Sequence, residues 1–372
     1  MAKKGSILND DLSNLLPKDS IELLTSNGVQ LVQRIGIEAI RDVVLDILTG
    51  KNLRDSTEFI TRRRISFLNL SLFEMFINNS DRRQIYKLID RAIEILQKEQ
   101  IPKSERWLAQ WLLGLTDKAS QNILRDDPNE LTSYKIKYIN SCEEVIKDFE
   151  LQHGSLSGVI EIDSKKKGLM SWDLIAYLLN TIGAETLTIR GSAKSTYGKL
   201  FEKLVLGSLL HILSFKFVPS PEGKDLKRIF WLTSRGERRE SDATLIFDAG
   251  KGARFDIGFI GRGNPEISLD KVSRFEREIT LGHSKWYMAT IIIVDRIGEK
   301  SRIDRLAKNI GGNIIQNSDE YGLLATEVAK VLRDTLGYRH RLASMGHSEI
   351  GPYLARQIKE VPLEKLIGIE ST

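Results

Sequence analysis

The chain has 372 residues, 41% of them hydrophobic, and a formal net charge of +5, a composition that supports folded cores and excludes a disordered protein. No apolar run approaches the roughly 18 residues that a membrane span needs, and the first residues do not follow the pattern of a secretory signal, so we expect a cytoplasmic protein without a membrane partner. The single cysteine excludes an internal disulfide and a cysteine-based zinc site, and the 5 histidines lack ligand spacing, so oxygen atoms must hold any metal.

The first part of the chain has the apolar periodicity of helices, from Leu12 to about Glu150. Gly50 stands where a helix C-cap is expected, and Asp81 is a suitable N-cap for the helix that follows it. The segment SKKKGLMS, Ser164 to Ser171, interrupts the periodicity with charge, serine and glycine, which makes it the candidate linker. We therefore predict an all-α domain over residues 1–165.

Two features of this helical part admit more than one interpretation. Trp107 and Trp111 lie four residues apart and share one helical face, which favours core packing over a binding platform. Arg62 and Arg63, in the run TRRR, lie near the start of an apparent helix, where the helix dipole disfavours cations. A contact with phosphate would explain that placement, and ordinary surface charge is the alternative.

Beyond the linker, helical and strand-like segments alternate. ETLTIR, residues 185–190, is strand-like, and a long helix is expected from about Ser195 to Phe215. The further strand-like runs, each bounded by glycine, aspartate or serine, are RIFWLTS, SDATLIFD, ARFDIGFIG, MATIIIVD and NIIQ. Further helices are expected at 269–281, at RIDRLAKNI and at 323–336. This order predicts an α/β domain over residues 166–372, with a mixed central sheet flanked by helices.

ETLTIRGSAKST imitates the strand, loop and helix of a nucleotide-binding phosphate loop. That motif needs a glycine immediately before its lysine, and Ala193 occupies this position before Lys194. We therefore expect no NTP as a partner.

Two aspartates lie in strand-like runs where apolar side chains are the rule. A turn at DAGK, Asp248 to Lys251, would pair Asp242 with residue 257, so Asp242 and Asp256 would lie almost opposite each other on neighbouring strands. Alternation then places both carboxylates on the face opposite to the apolar side chains. Opposed residues of an antiparallel pair have Cβ atoms roughly 4.5–5.5 Å apart. Carboxylates this close repel each other unless a cation lies between them, and Mg²⁺ prefers such oxygen ligands.

A magnesium ion held in this way would polarise a phosphoryl oxygen and lower the pKa of an attacking water. The pair therefore predicts phosphodiester hydrolysis with both aspartates as metal ligands, and two aspartates that merely form turns are the alternative. Glu202, in the preceding helix, shares a face with Leu206 and Leu209 and would point toward the sheet. It is a candidate third ligand or water-orienting acid, or else a solvated helix residue.

Positive charge is concentrated around the two aspartates. Residues 190–308 contain 23 lysines and arginines against 15 aspartates and glutamates, whereas the rest of the chain is net negative. This distribution suits a polyanionic partner such as double-stranded DNA, with ordinary surface charge as the alternative. The candidate phosphate-contacting residues of this region are Arg190, Lys194, Ser195, Lys199, Arg235, Arg238, Arg239 and Arg262.

The arrangement resembles the PD-(D/E)xK nuclease superfamily, in which an acid on one strand and an acid-x-lysine on the next bind metal. The resemblance covers about Lys194 to Gln316. Within the superfamily, the runs RRESDATLIF, RFDIGFIGRGNPEISLDKVSRFERE and LRDSTEFITRRR are similar to the CfrBI-like type II restriction endonucleases. That resemblance implies a restriction-endonuclease-like core and Mg²⁺-dependent cleavage of a short palindromic site in double-stranded DNA by a homodimer. The helical domain would then serve DNA recognition, dimer contacts or both.

The sequence departs from the superfamily pattern at two places. The residues before Asp242 are Glu240 and Ser241, where the pattern has proline, and the more serious departure concerns the lysine. The lysine is expected two residues after the second acid, but Gly258 stands at that distance from Asp256. Lys271, in the helix predicted after the strand, is the first candidate to replace it near the attacking water, with Lys251 and Lys203 behind it. A contact with DNA phosphate is the other role open to Lys271.

Two other functions are compatible with the same features. A repair or junction-resolving nuclease would use the same core. A non-catalytic DNA-binding regulator would keep the basic region but would not need the acids, so metal-dependent cleavage separates it from the nucleases.

Overall fold

The computed structural model describes residues 11–25, 28–123, 130–162, 166–220, 227–233, 241–248, 250–258, 287–294, 313–319 and 322–368. The chain forms two compact units. The helical unit comprises Met1–Ser26 and Ile60–Ala193, and the sheet unit comprises Asn27–Phe59 and Lys194–Thr372. The functional domains expected at 1–165 and 166–372 stay a prediction.

Helices dominate the chain up to residue 212. Helices α1 to α10 span Lys18–Thr25, Gly28–Ile35, Ile37–Leu48, Leu53–Ser56, Glu58–Asn78, Arg82–Leu96, Lys103–Leu112, Asp117–Ile123, Glu130–His153 and Trp172–Ile212. Among the described residues, none of these or the later helices combines the length and the apolar character of a membrane span.

The core of the helical unit is built from apolar stripes at helical spacing. On α6 the residues Ile85, Ile89 and Ala92 are almost completely buried, which is the spacing of one helical face. The helix begins where it was predicted to begin, because the Asp81 side chain accepts a hydrogen bond from the Arg83 amide at 2.8 Å. Trp111 is fully buried and donates its indole N–H to Thr188 Oγ1 at 3.1 Å, so the prediction of core packing is confirmed.

The candidate linker contains a strand. Strand β2 (Lys166–Met170) pairs antiparallel with β1 (Gly158–Ile162) in the helical unit. Gly168 packs against α5 so closely that a Cβ atom would lie 2.7 Å from the Ile77 carbonyl oxygen. The glycine that suggested a linker therefore permits a close backbone approach instead.

The strand expected at ETLTIR is wrong, because residues 185–190 lie inside helix α10. The four residues Thr186 to Ile189 alternate threonine with aliphatic side chains and match a strand locally. The burial follows the helical period instead, since Glu185 and Thr188 are buried whereas Leu187 is 65% exposed. The alternation was thus a coincidence within a longer 3.6-residue pattern.

The sheet unit contains a mixed sheet, as predicted, and this sheet has six strands. Its strands are β3 (Lys216–Phe217), β4 (Ile229–Leu232), β5 (Ala243–Asp248), β6 (Lys251–Gly258), β7 (Tyr287–Val294) and β8 (Asn313–Gln316), in this spatial order. The β4–β5 and β5–β6 pairs are antiparallel, and the β3–β4, β6–β7 and β7–β8 pairs are parallel. The helices expected at 269–281 and at RIDRLAKNI lie outside the described residues. A further short antiparallel pair consists of β9 (Ser318–Asp319) and β10 (Gly322–Leu323).

One face of the sheet is the apolar core of this unit. Leu245, Phe255, Ile257 and Ile291 are fully buried on that face. Helix α11 (Leu324–Leu336), close to the predicted 323–336, packs against β6, β7 and β8. The chain continues through α12 (His347–Gln357) and α13 (Leu363–Leu366), which pack against α3. Gly50, with φ +96°, follows α3 in the left-handed region, as its predicted capping role requires.

Candidate active site

Asp242 and Asp256 are brought together by the antiparallel pair β5 and β6. The register pairs Ala243 with Phe255, and one further step along both strands places Asp242 opposite Asp256. The sequence predicted residue 257 as the partner of Asp242. The difference arises from an irregularity between Ile246 and Asp248, which shifts the register by one residue and makes the two aspartates directly opposed.

Asp242 is held from both neighbouring strands. Its Oδ2 atom accepts a hydrogen bond from the Ile257 amide of β6 at 2.8 Å. Its backbone carbonyl accepts a hydrogen bond from the Thr233 amide at 3.2 Å, just beyond the end of β4. Because β5 begins at Ala243, the Asp242 carboxylate takes the place that a backbone carbonyl would have in a longer ladder. The side chain is therefore oriented toward β6.

Asp256 lies inside β6 and only 8% of it is exposed. Its neighbours Phe255 and Ile257 face the apolar core, and the register places Ile292 of β7 beside it. A buried residue in the middle of a strand is not a turn former, so that alternative is excluded for Asp256. A buried carboxylate that faces a second carboxylate is costly without a cation to compensate it.

The donor set of this pair fits a hard divalent cation. Two carboxylates on adjacent strands supply oxygen ligands, and Asp242 is oriented by the Ile257 amide. Within the described part of the chain, no group of three or more histidine, cysteine, aspartate or glutamate side chains is placed to hold a metal. The structure therefore does not bring Glu202, which lies half-buried on α10, together with both aspartates, and its role stays a prediction.

The predicted DNA-contacting residues are distributed over both units. Arg62 and Arg63 are exposed on α5, and Arg190 is half-buried on α10 in the helical unit. Lys199 is exposed on the part of α10 that belongs to the sheet unit. Lys194 and Ser195 lie within α10, and their side chains are outside the described part. The remaining candidates, which lie outside the described residues, are Lys271, Arg235, Arg238, Arg239 and Arg262.

A mixed sheet flanked by helices, with opposed aspartates at two neighbouring antiparallel strands, is compatible with a restriction-endonuclease-like core. The profile of the CfrBI restriction endonuclease family matches residues 37–302 of this chain. The chain is also 36% identical over 361 residues to the type II restriction enzyme CfrBI of Citrobacter freundii, across 96% of this chain and 98% of that enzyme. This protein therefore belongs to the CfrBI restriction endonuclease family. No solved structure matches it significantly.

Proposed function

We propose that this protein is a type II restriction endonuclease that cuts a short palindromic site in double-stranded DNA, with Mg²⁺ held by Asp242 and Asp256. Membership of the family makes it a site-specific deoxyribonuclease that acts on DNA. Enzymes of this class generally depend on a metal ion. The observation that carries the finer proposal is the register of β5 and β6, which opposes a buried aspartate to a second aspartate.

Each of the two aspartates would contribute one carboxylate to a cation bound at the phosphodiester. Asp256 supplies a carboxylate from a buried, central strand, and Asp242 supplies a second carboxylate that the Ile257 amide orients. When bound, the cation supplies Lewis acidity and neutralises charge on the phosphate. Glu202 remains the candidate third acid, and Lys271 remains the candidate for the group near the attacking water.

Lys251 is one of the lysines proposed to replace the motif lysine, and its place in the sheet bears on that role. Lys251 pairs with Asp248 at the opposite end of β6 from Gly258. Five residues of strand separate it from Asp256, or roughly 17 Å. Lys251 is therefore a poor replacement, and Lys271 stays the first candidate with Lys203 behind it.

Several further expectations belong to the proposal. A palindromic site has the two-fold symmetry of duplex DNA, which suits a homodimer that cuts both strands. We propose double-stranded DNA as the partner, no NTP, and the cytoplasm as the location. The helical domain at 1–165 would contribute DNA recognition or dimer contacts, and the domain at 166–372 would carry the catalytic site.

The test is digestion of plasmid and bacteriophage DNA with the purified full chain in Mg²⁺, in Ca²⁺ and in EDTA. We expect a discrete fragment ladder in Mg²⁺ and none in Ca²⁺ or EDTA, and sequencing the fragment ends identifies the site. A smear, or cleavage of branched DNA alone, would favour the repair or junction nuclease. Binding without cleavage in any metal would favour the regulator.

A further inference from the structure

A second polar row lies beside the two aspartates on the same face of the sheet. Side chains alternate between the faces of a strand, so Arg254 lies on the same face of β6 as Asp256. The register places Arg254 opposite Thr244 on β5 and beside Thr290 on β7. Both threonines are buried, whereas Arg254 is half-buried. The row thus places a cation at the centre of the sheet, and its side chain still reaches the surface.

The charge of Arg254 lies on the face of the sheet opposite to the apolar core. The residues of β6 on the core face, Ala253, Phe255 and Ile257, are fully buried, whereas Arg254 shares its face of the strand with Asp256. Within strands β5, β6 and β7 as described, Arg254 is the one lysine or arginine on the face of the aspartates, because Lys251 falls on the other face. The register also places Asp242 opposite Asp256, so the two aspartates share that face with Arg254.

Arg254 lies as far from Asp256 along β6 as Gly258, the position where the motif lysine is missing. The row through Gly258 continues to Val294 and Gln316, and these described members of the row include no cation. Gly258 lies two residues after Asp256 and Arg254 lies two residues before it, so both are roughly 6.6 Å from it along the same face of β6. The long arginine side chain spans that separation. Arg254 can therefore bring positive charge to the aspartates from the side of Asp256 opposite to Gly258.

Building on the proposed function, we propose that Arg254 contacts the scissile phosphate and supplies the positive charge that the superfamily takes from its motif lysine. The planar guanidinium forms two parallel hydrogen bonds to phosphate oxygens, which orients the phosphate against the carboxylates of Asp242 and Asp256. Arginine keeps its proton, so Arg254 stabilises charge on the phosphate and does not accept a proton from the attacking water. A different group must accept the proton from the attacking water.

The experiment compares Arg254→Ala and Arg254→Lys with Lys330→Ala, a matched control on α11 whose cation pairs with Glu327 at 2.7 Å. Single-turnover plasmid cleavage in Mg²⁺ should fall by about 10²- to 10³-fold for Arg254→Ala, and Arg254→Lys should recover part of the loss. Added methylguanidinium should restore cleavage to Arg254→Ala but not to Asp256→Asn. In Ca²⁺, the slope of log affinity against log salt should fall by about 1 for Arg254→Ala.

The outcomes separate this inference from the proposed function. If wild type and Arg254→Ala cleave at rates within about 3-fold, a barrier difference too small for a lost phosphate contact, the inference is overturned while the nuclease assignment stands. A loss of cleavage with an unchanged salt slope and no rescue by methylguanidinium assigns Arg254 a structural role and also overturns the inference. Wild type that never cleaves contradicts the proposed function, and the salt slope in Ca²⁺ then still decides whether Arg254 contacts phosphate.

Discussion

Glu185 in the helical unit and Asp256 in the sheet unit are both carboxylates removed from solvent, at 0% and 8% exposure. Desolvation raises the pKa of Glu185 to about 7, against smaller lowering effects of the Thr186 hydroxyl and the Arg64 charge. Asp256 instead faces Asp242 across two strands, on a sheet face that also carries Arg254. Burial and a shifted pKa therefore do not by themselves mark the catalytic site of this protein. The proposed site is instead distinguished by the second acid that lies opposite Asp256.

The largest expected effect comes from the acid of the sheet unit. Asp256→Asn removes a metal ligand of the proposed site, so single-turnover cleavage in Mg²⁺ should fall by about 10³-fold, or about 4 kcal/mol of barrier. The melting temperature should stay the same or rise, because the repulsion between two carboxylates is gone. Asp248→Asn is the matched control on the same hairpin, exposed and paired with Lys227 at 3.2 Å, and should cleave like wild type. Cleavage by Asp256→Asn close to the wild-type rate would refute its role as a ligand.

The acid of the helical unit should affect stability and not cleavage. Its pKa is about 7 in the folded protein against the ordinary 4.5, so the folded state holds a proton that the unfolded chain has lost. The free energy of unfolding should therefore fall as the pH rises from about 4.5 to about 7, by about 3 kcal/mol for this group. Glu185→Gln should abolish that part of the pH dependence in urea unfolding at pH 5 and pH 8.

The control for this experiment is Glu38→Gln, whose side chain is 77% exposed and should leave the pH dependence unchanged. Plasmid cleavage by Glu185→Gln should match that of wild type. A strong loss of cleavage at unchanged stability would contradict the expectation that Glu185 affects only stability and Asp256 affects cleavage.

The smallest expected effect concerns the exposed surface of the helical unit. Arg62 and Arg63 lie on the exposed side of α5. If they contact phosphate, the double change to alanine should reduce the slope of log affinity against log salt by about 2, since each phosphate contact contributes about 1. Lys98→Ala removes an exposed cation of the same unit and serves as the control. An unchanged slope in the double variant would limit the role of α5 to packing.

Local features of the fold were predictable from the sequence. The N-cap at Asp81, the glycine at position 50 and the strands β4 to β8 depend on neighbouring residues, and the structure confirms them. The predictions were wrong where a short stretch of sequence is compatible with more than one local structure. ETLTIR alternates like a strand but belongs to a helix of 41 residues, and the candidate linker contains a strand that packs on α5 through Gly168.

The sequence by itself determined that two aspartates occupy one face of neighbouring strands, because side-chain alternation and the turn at DAGK are local properties. Only the tertiary structure decided that Asp242 lies opposite Asp256 rather than Ile257, since the register depends on an irregularity within β5. It also decided which residues lie beside Arg254 on the face of the aspartates. Arg254 meets Thr290 across a parallel pair whose strands are far apart in the chain, and no local pattern specifies such a neighbour.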